Sequence, residues 1–314
     1  LSLPRVAIPT GDPAGIGPEI AYKAAIDPAV TAICRPVLFG DRKVLAKHNP
    51  DFREVPMVEV PFRGELRMGK IEADHGRAIV ECAEAAIGAA LRGEFHAVVA
   101  APHTEAAIHA AGVAFDGYPS FVARACGLAP EDGILMLCFE HLGREVRIAH
   151  VTLHVAVREA LRLLTKDRIV RALRAVRDVL GQPRIAVGGV NPHASEGGLF
   201  GDEEARCVIP AIEQARAEGI DVEGPIGADT LIQRPGFDAY VVMLHDQGHV
   251  AAKLLAPQRV AGLTIGTPVL FSSVAHGSAL DIAGQGRARH DAMVEAITRL
   301  VGRRRRAAPT SKPV

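Results

Sequence analysis

The sequence has no tryptophan, and Phe, Tyr and Trp together make up only 4% of it. A protein that grips single-stranded nucleic acid by stacking bases needs more rings than this. It also lacks an excess of charge: Lys+Arg and Asp+Glu both number 36. That balance excludes the footprint of a nucleic-acid binder and of a protein drawn to an anionic membrane. Any substrate charge has to be met by local groups. Cysteine is sparse, at Cys34, Cys82, Cys126, Cys138 and Cys207, with no C-x-x-C pair. An odd count at wide spacing excludes a disulfide framework and points to a reducing compartment. No apolar run reaches the roughly 20 residues of a membrane span, and the first residues lack a signal-peptide pattern. A cytoplasmic protein without a membrane partner is expected.

What is present is an ordinary globular composition over 314 residues, 48% hydrophobic and 23% charged. That length suits two domains with a core each. Strand-like runs alternate with helix-like ones. Arg5–Pro9, 36–40, 97–101, 146–153, 184–190 and 239–244 read as strands. The segments 15–26, 76–91, 104–111, 167–180, 203–218 and 291–301 read as helices, the first of them opening on a turn. In 76–91 the inward face is Ile79, Cys82, Ala83, Ala86, Ile87 and Ala90. This alternation predicts an α/β protein with a largely parallel sheet. There is no internal repeat. The run Arg303 to Arg306 reads as a solvated end rather than a nucleic-acid arm.

Three histidines stand where strands end. His154 closes one run, His193 lies in Asn191-Pro192-His193, and His245 opens His245-Asp246-Gln247-Gly248. Ligands of open α/β sheets bind beyond the carboxyl ends of strands. Three neutral imidazoles suit a catalytic divalent metal, with positions left open for substrate. Any one of 13 histidines is on its own more often a core or loop residue. Asp246 and Asp229 are the acidic partners expected to fix an imidazole tautomer or orient a reacting group. Asp229 reads equally as the N-cap of a helix before Thr230. Lys253 reads as a general base or acid near the metal, or as a surface lysine. Gly11 to Glu19 (GDPAGIGPE) follows the first strand and opens a helix, a location for anion binding by backbone N–H groups at Gly11 and Asp12. It is not G-x-G-x-x-G, so the Rossmann fingerprint is missing. The stretch Ser272 to Gly284, rich in small and polar residues, reads either as a loop that a cofactor approaches closely or as an ordinary irregular loop.

Taken in order, Gly11 to Ile20, Asn191 to Glu204, Gly224 to Leu231, His245 to Lys253 and Ser273 to Gly286 resemble the PdxA family. The resemblance runs nearly end to end. It implies two α/β/α domains of the isocitrate/isopropylmalate-dehydrogenase type with an active-site cleft between them. The expected limits are 1–133 plus 280–314 for the first domain and 134–279 for the second. It implies NAD or NADP, with Gly266, Ser273, His276 and Asp281 at the cofactor beside Gly11 and Asp12. It implies one divalent metal (Zn, Co, Mg, Mn or Fe) on His154, His193 and His245, with catalytic roles for Lys253, Asp229 and Asp246. It implies a homodimer whose active sites lie at the subunit interface, one ligand coming from the partner. The implied reaction is oxidation of a hydroxy acid followed by loss of CO₂.

The sequence departs from the biosynthetic members where substrate phosphate binds. Gly117-Tyr118-Pro119-Ser120-Phe121 stands for Gly-His-Thr-Glu-Phe, and Pro102-His103-Thr104-Glu105 for Pro-Ile-Asn-Lys. Gly262 and Phe271 stand for an Asn and an Arg. Losing such donors is not conservative around a phosphate. The stretches 101–120, 150–158, 244–257 and 272–284 look closest to the PdxA-like dehydrogenases of terephthalate degradation. Those oxidise and decarboxylate 1,2-dihydroxy-3,5-cyclohexadiene-1,4-dicarboxylate to protocatechuate. Tyr118, Pro119 and Phe271 are then expected to wall a carbocyclic ring, with Lys253 also at the substrate. His103, His249 and Arg124 are candidates for its distal carboxylate. The alternatives are 4-hydroxythreonine-4-phosphate, a phosphorylated sugar acid, or a metal-dependent lyase or hydrolase that uses no nicotinamide.

Overall fold

The computed structural model describes residues 3–49, 51–53, 55–257 and 259–301. The Arg303–Arg306 run lies outside the described residues. The strands, in chain order, are β1 (Arg5–Pro9), β2 (Arg35–Gly40), β3 (Met57–Glu59), β4 (Ala97–Ala100), β5 (Ile134–His141), β6 (Arg144–His150), β7 (Ile185–Gly188), β8 (Val222–Ile226), β9 (Ala239–Val242), β10 (Ala261–Ile265) and β11 (Phe271–Val274).

The chain divides into two compact units. The first is Leu1–Leu128, Ala261–Leu263 and Pro268–Val314; the second is Ala129–Val260 and Thr264–Thr267. The return to the first unit therefore falls earlier than the expected residue 280. The cause is β11, which already pairs with β4 through Phe271↔Val98 to Ser273↔Ala100.

In the first unit the strands run β3-β2-β1-β4-β11, parallel at each of these pairings. Helix Ala73–Leu91 packs its small face on this sheet, and all six residues named from its periodicity are buried. Gly76 permits a close crossing, because a Cβ there would sit 1.9 Å from the Ala107 carbonyl oxygen. The core gathers Phe39, Phe95, Ile79, Ile87, Tyr118, Phe121 and Phe271.

In the second unit the order is β5-β6-β9-β7-β8. β5 and β6 form an antiparallel pair, and the remaining pairings are parallel. Leu137, Phe139, Ile148, Tyr240 and Val242 form the centre of its core. Helix Lys166–Leu180 turns Ile169, Val170, Leu173 and Val176 inward, as its periodicity requires. Because β6, β9 and β7 are parallel neighbours, the segments that follow them emerge at one end of the sheet. Those segments carry His154, His245 and His193.

Candidate active site

The register of β6 and β9 brings two of the histidines together. Ile148↔Tyr240, Ala149↔Val241 and His150↔Val242 are paired. The ladder continues past the strands, with Val151 N–H donating to Val242 O at 2.9 Å and Thr152 Oγ1 to Met243 O at 2.7 Å. The His154 and His245 rings then lie 5.4 Å apart, centroid to centroid.

His245 opens helix His245–Leu255, which the Gly and Asp of its first turn disguise in the sequence as a simple turn. Gln247 explains why a helix starts here. Its Oε1 accepts from the Met243 and Leu244 N–H groups at 2.9 and 3.0 Å, closing half of a capping box. Its Nε2 donates to Gly189 O at 2.9 Å, just past β7. Gln247, not anticipated from the sequence, thus ties the turn of His245 to the segment leading to His193.

The Asp246 carboxylate accepts from His245 Nδ1 at 2.7 Å. That fixes the proton on Nδ1 and leaves the Nε2 lone pair for a ligand or a metal. His249, one turn on, stacks on His245 at 3.7 Å with planes 9° apart. Its Nδ1–H donates to the His245 carbonyl at 3.1 Å. Burial, and then the charge of His245, lowers its pKa to about 4. Lys253 continues the same helix face and is exposed. Behind this face His150 is 1% exposed, and burial brings it down to about 3. The spacing His245, His249, Lys253 (i, i+4, i+8) was the signal available in the sequence for this stripe.

His193 is presented differently. Residues 193–197 all have positive φ, from 47° to 73°, a run of left-handed backbone. For residues with a Cβ this conformation costs about 1–2 kcal/mol each, so it needs outside support. The His193 side chain is 63% exposed. Asp229 is the second residue of helix Ala228–Leu231, whose N-cap is Gly227 and not Asp229. A Cβ on Gly227 would meet Asp229 Oδ1 at 2.8 Å and His193 Cα at 3.5 Å, so Asp229 and His193 share this corner. Among the described residues no group of three or more His, Cys, Asp or Glu side chains comes together to hold a metal ion. The His154 and His245 rings are therefore neighbours, and no metal-holding set that includes His193 forms among the described residues.

In the first unit the turn after β1 is filled by the protein itself. Asp12, 1% exposed, accepts from Ala14 N–H at 2.9 Å and from Thr104 Oγ1. Ser278 Oγ lies 2.9 Å from Thr104 Oγ1, so Ser278 donates to Thr104 and Thr104 to Asp12. The N–H groups of Asp12, Gly15 and Ile16 go to Pro102 O, Asp12 O and Ser278 O. Of the two N–H groups expected to bind an anion, that of Asp12 is thus engaged within the fold. A Cβ on Gly11 would lie 2.3 Å from Pro102 O, which explains the glycine. His276 and Asp281 are exposed on the segment after β11, and Ser273 is half-buried within β11. Gly266, at φ +86°, belongs to the second unit, where a Cβ would meet Asp132 O at 2.2 Å.

Tyr118 and Phe271 are 4% and 0% exposed, and Pro119 is buried at the start of helix Tyr118–Ala125. Tyr118 and Phe271 belong to the core of the first unit, with Pro119 buried at the next position after Tyr118. The Tyr118 hydroxyl is buried without a partner, and burial pushes its pKa up. His103 packs edge-on against Phe115 and Tyr118, at 5.0 and 4.6 Å, and is the half-buried polar member of this aromatic cluster. Arg124 is committed to Asp116 at 2.9 Å and Ala114 O at 3.0 Å.

The family model described as "Pyridoxal phosphate biosynthetic protein PdxA" matches residues 32–300. The 1,2-dihydroxy-3,5-cyclohexadiene-1,4-dicarboxylate dehydrogenase of Comamonas sp is 42% identical over 94% of this chain and 96% of its own length. Among solved structures, a 4-hydroxythreonine-4-phosphate dehydrogenase from Klebsiella pneumoniae superposes with a TM-score of 0.82 at 34% identity, covering 95% of this chain and 98% of that one. A terephthalate 1,2-cis-dihydrodiol dehydrogenase from Burkholderia xenovorans LB400 gives a TM-score of 0.70 at 39% identity, covering 95% and 97%.

Proposed function

The chain belongs to the PdxA family of dehydrogenases, and from that premise we propose that it oxidises and decarboxylates an unphosphorylated hydroxy acid with NAD or NADP. The favoured substrate is 1,2-dihydroxy-3,5-cyclohexadiene-1,4-dicarboxylate. The observation that carries this reading is the 42% identity, over 94% of the chain, to a dehydrogenase named for that compound. The stretch Gly117-Tyr118-Pro119-Ser120-Phe121, standing where the biosynthetic members carry Gly-His-Thr-Glu-Phe, agrees with it.

The reaction balances within the diol. A bound nicotinamide would take the hydride of the secondary alcohol, and Lys253 would take its hydroxyl proton. The carboxylate on the neighbouring carbon leaves as CO₂, and its electron pair forms the ring double bond that completes the aromatic system. Lys253 returns the proton to the enolate oxygen. Asp246 holds the tautomer of His245, and Asp229 orients the corner occupied by His193. His154, His193 and His245 would hold a divalent cation, which when bound would supply positive charge for an alcohol or enolate oxygen.

Since the described residues of one chain bring no three such side chains together to hold a metal, a second copy of the chain completes the set in this reading. Apolar side chains beside these histidines agree with a homodimer: Val155, Val157, Leu199, Phe200, Val250 and Leu254 are all exposed. The reading is tested by following reduced-nicotinamide absorbance with the diol and a divalent metal. Turnover is expected to require both metal and nicotinamide, and His245→Ala should lose at least about a hundredfold in kcat. Full activity in metal-stripped protein would overturn the metal assignment.

A second reading, oxidation of a phosphorylated hydroxy acid, is favoured by the higher TM-score, 0.82, to the 4-hydroxythreonine-4-phosphate enzyme. It requires phosphate ligands other than Tyr118 and Pro119.

A further inference from the structure

We propose that Glu204 is a positioning residue for His193, acting through the left-handed turn that carries it. The inference rests on the reading of His193 as a metal ligand.

The side chain of Glu204 is buried, with the residue 2% exposed. Its Oε1 accepts from the Val190 and Asn191 N–H groups at 2.7 and 2.8 Å. Its Oε2 accepts from Asn191 Nδ2 at 2.9 Å. The second hydrogen of that amide goes to Glu203 Oε2 at 2.7 Å. β7 has ended at Gly188, so these backbone donors take a carboxylate in place of a neighbouring strand. Only a carboxylate offers enough acceptor sites on both oxygens to meet three converging donors. Gln would set its own NH₂ against that of Asn191.

The clamp grips the residues immediately before the turn. Pro192 follows Asn191, and the positive-φ run starts at His193. In the middle of the run Ser195 Oγ donates to Gly201 O at 2.7 Å. Gly189 lets the parts close up: a Cβ there would lie 2.8 Å from Ala194 Cα and 3.0 Å from Glu204 Oε1. Glu204 also opens a single π-helical turn, Glu204–Val208, a feature that recurs at functional sites. The strained backbone under His193 is thus held at its entry by one buried carboxylate, which itself lies too deep to be a ligand.

The test compares the full-length protein with Glu204→Gln, Asn191→Ala and His193→Ala. Zinc affinity is read by competition with a chromogenic chelator, and NAD affinity by calorimetry. Glu204→Gln is expected to weaken zinc about 10–100-fold, as loss of an outer partner of a ligand does. NAD affinity and far-UV circular dichroism should stay at wild-type values, and kcat should fall while KM changes little. Asn191→Ala removes one of the three donors, should weaken zinc by a smaller factor, and serves if Glu204→Gln does not fold. Wild-type zinc affinity in Glu204→Gln or Asn191→Ala, with zinc lost in His193→Ala, would overturn the positioning role alone. Wild-type zinc affinity in His193→Ala would instead overturn the ligand assignment beneath it.

Discussion

His150 and His249 are imidazoles kept neutral by burial, and this makes the fold acid-sensitive. Their pKa values fall from 6.5 to about 3 and about 4. Above pH 6.5 both are neutral folded and unfolded, and contribute no pH dependence. Below it the unfolded chain takes up protons that the folded chain refuses. Stability is then lost as pH falls, at up to about 1.4 kcal/mol per pH unit for the buried His150 and less for the partly exposed His249. The window runs down to about pH 4 for His249 and about pH 3 for His150. Urea midpoints measured from pH 7.5 downward should drop below pH 6.5, and His150→Leu should flatten the slope; an unchanged slope would refute this assignment. Neither the burial of His150 nor that of Tyr118 was legible in the sequence. Burial of a lone polar residue is decided by distant strands and rings, here Leu135 beside His150 and Phe115, Phe121 and Phe271 around Tyr118. What could be read was the place of His154, His193 and His245 after strands, because a parallel sheet puts all such ends on one side.

At the scale of elements, the strand-end segments are joined by side chains and not only by the sheet. Gln247 links the end of β9 to the residue after β7 with three hydrogen bonds. Gln247→Ala leaves the buried Met243 N–H without its acceptor. The expected cost is about 1–3 kcal/mol of stability, read as a lower urea midpoint together with weaker metal binding. A midpoint and a metal affinity both at wild-type values would show that the link is idle. Helices with strong amphipathic spacing were legible to within a few residues: 291–301 was expected and Asp291–Val301 is found. Helix His245–Leu255 was not, because Asp246 and Gly248 read as turn residues. Its start depends on Gln247 reaching back to the strand end. β5 escaped notice for a related reason, since a short continuous apolar run does not show its own period. The N–H groups of Asp12 and Ile16 after β1 are engaged because Pro102 and Ser278 reach them from other parts of the chain.

For the whole molecule, the proposal that a second copy supplies His193 leads to an expectation about pairs of chains. If each site takes His154 and His245 from one copy and His193 from the other, His193→Ala and His245→Ala fail separately but complement when mixed. After subunit exchange half of the dimers carry one intact site of two, so about a quarter of wild-type activity should return. No recovery would mean that all three ligands belong to one chain. The α/β class was legible from strand and helix alternation, and the family from the order of its motifs. The substrate is the claim that most needs a direct reading. Purified, metal-loaded protein should be given 1,2-dihydroxy-3,5-cyclohexadiene-1,4-dicarboxylate and 4-hydroxythreonine-4-phosphate side by side, with reduced nicotinamide followed in each. The expected result is turnover of the diol with a kcat/KM at least about a hundredfold above that of the phosphate ester. Preferential turnover of the phosphate ester would contradict the account and place the phosphate on residues other than Tyr118 and Pro119.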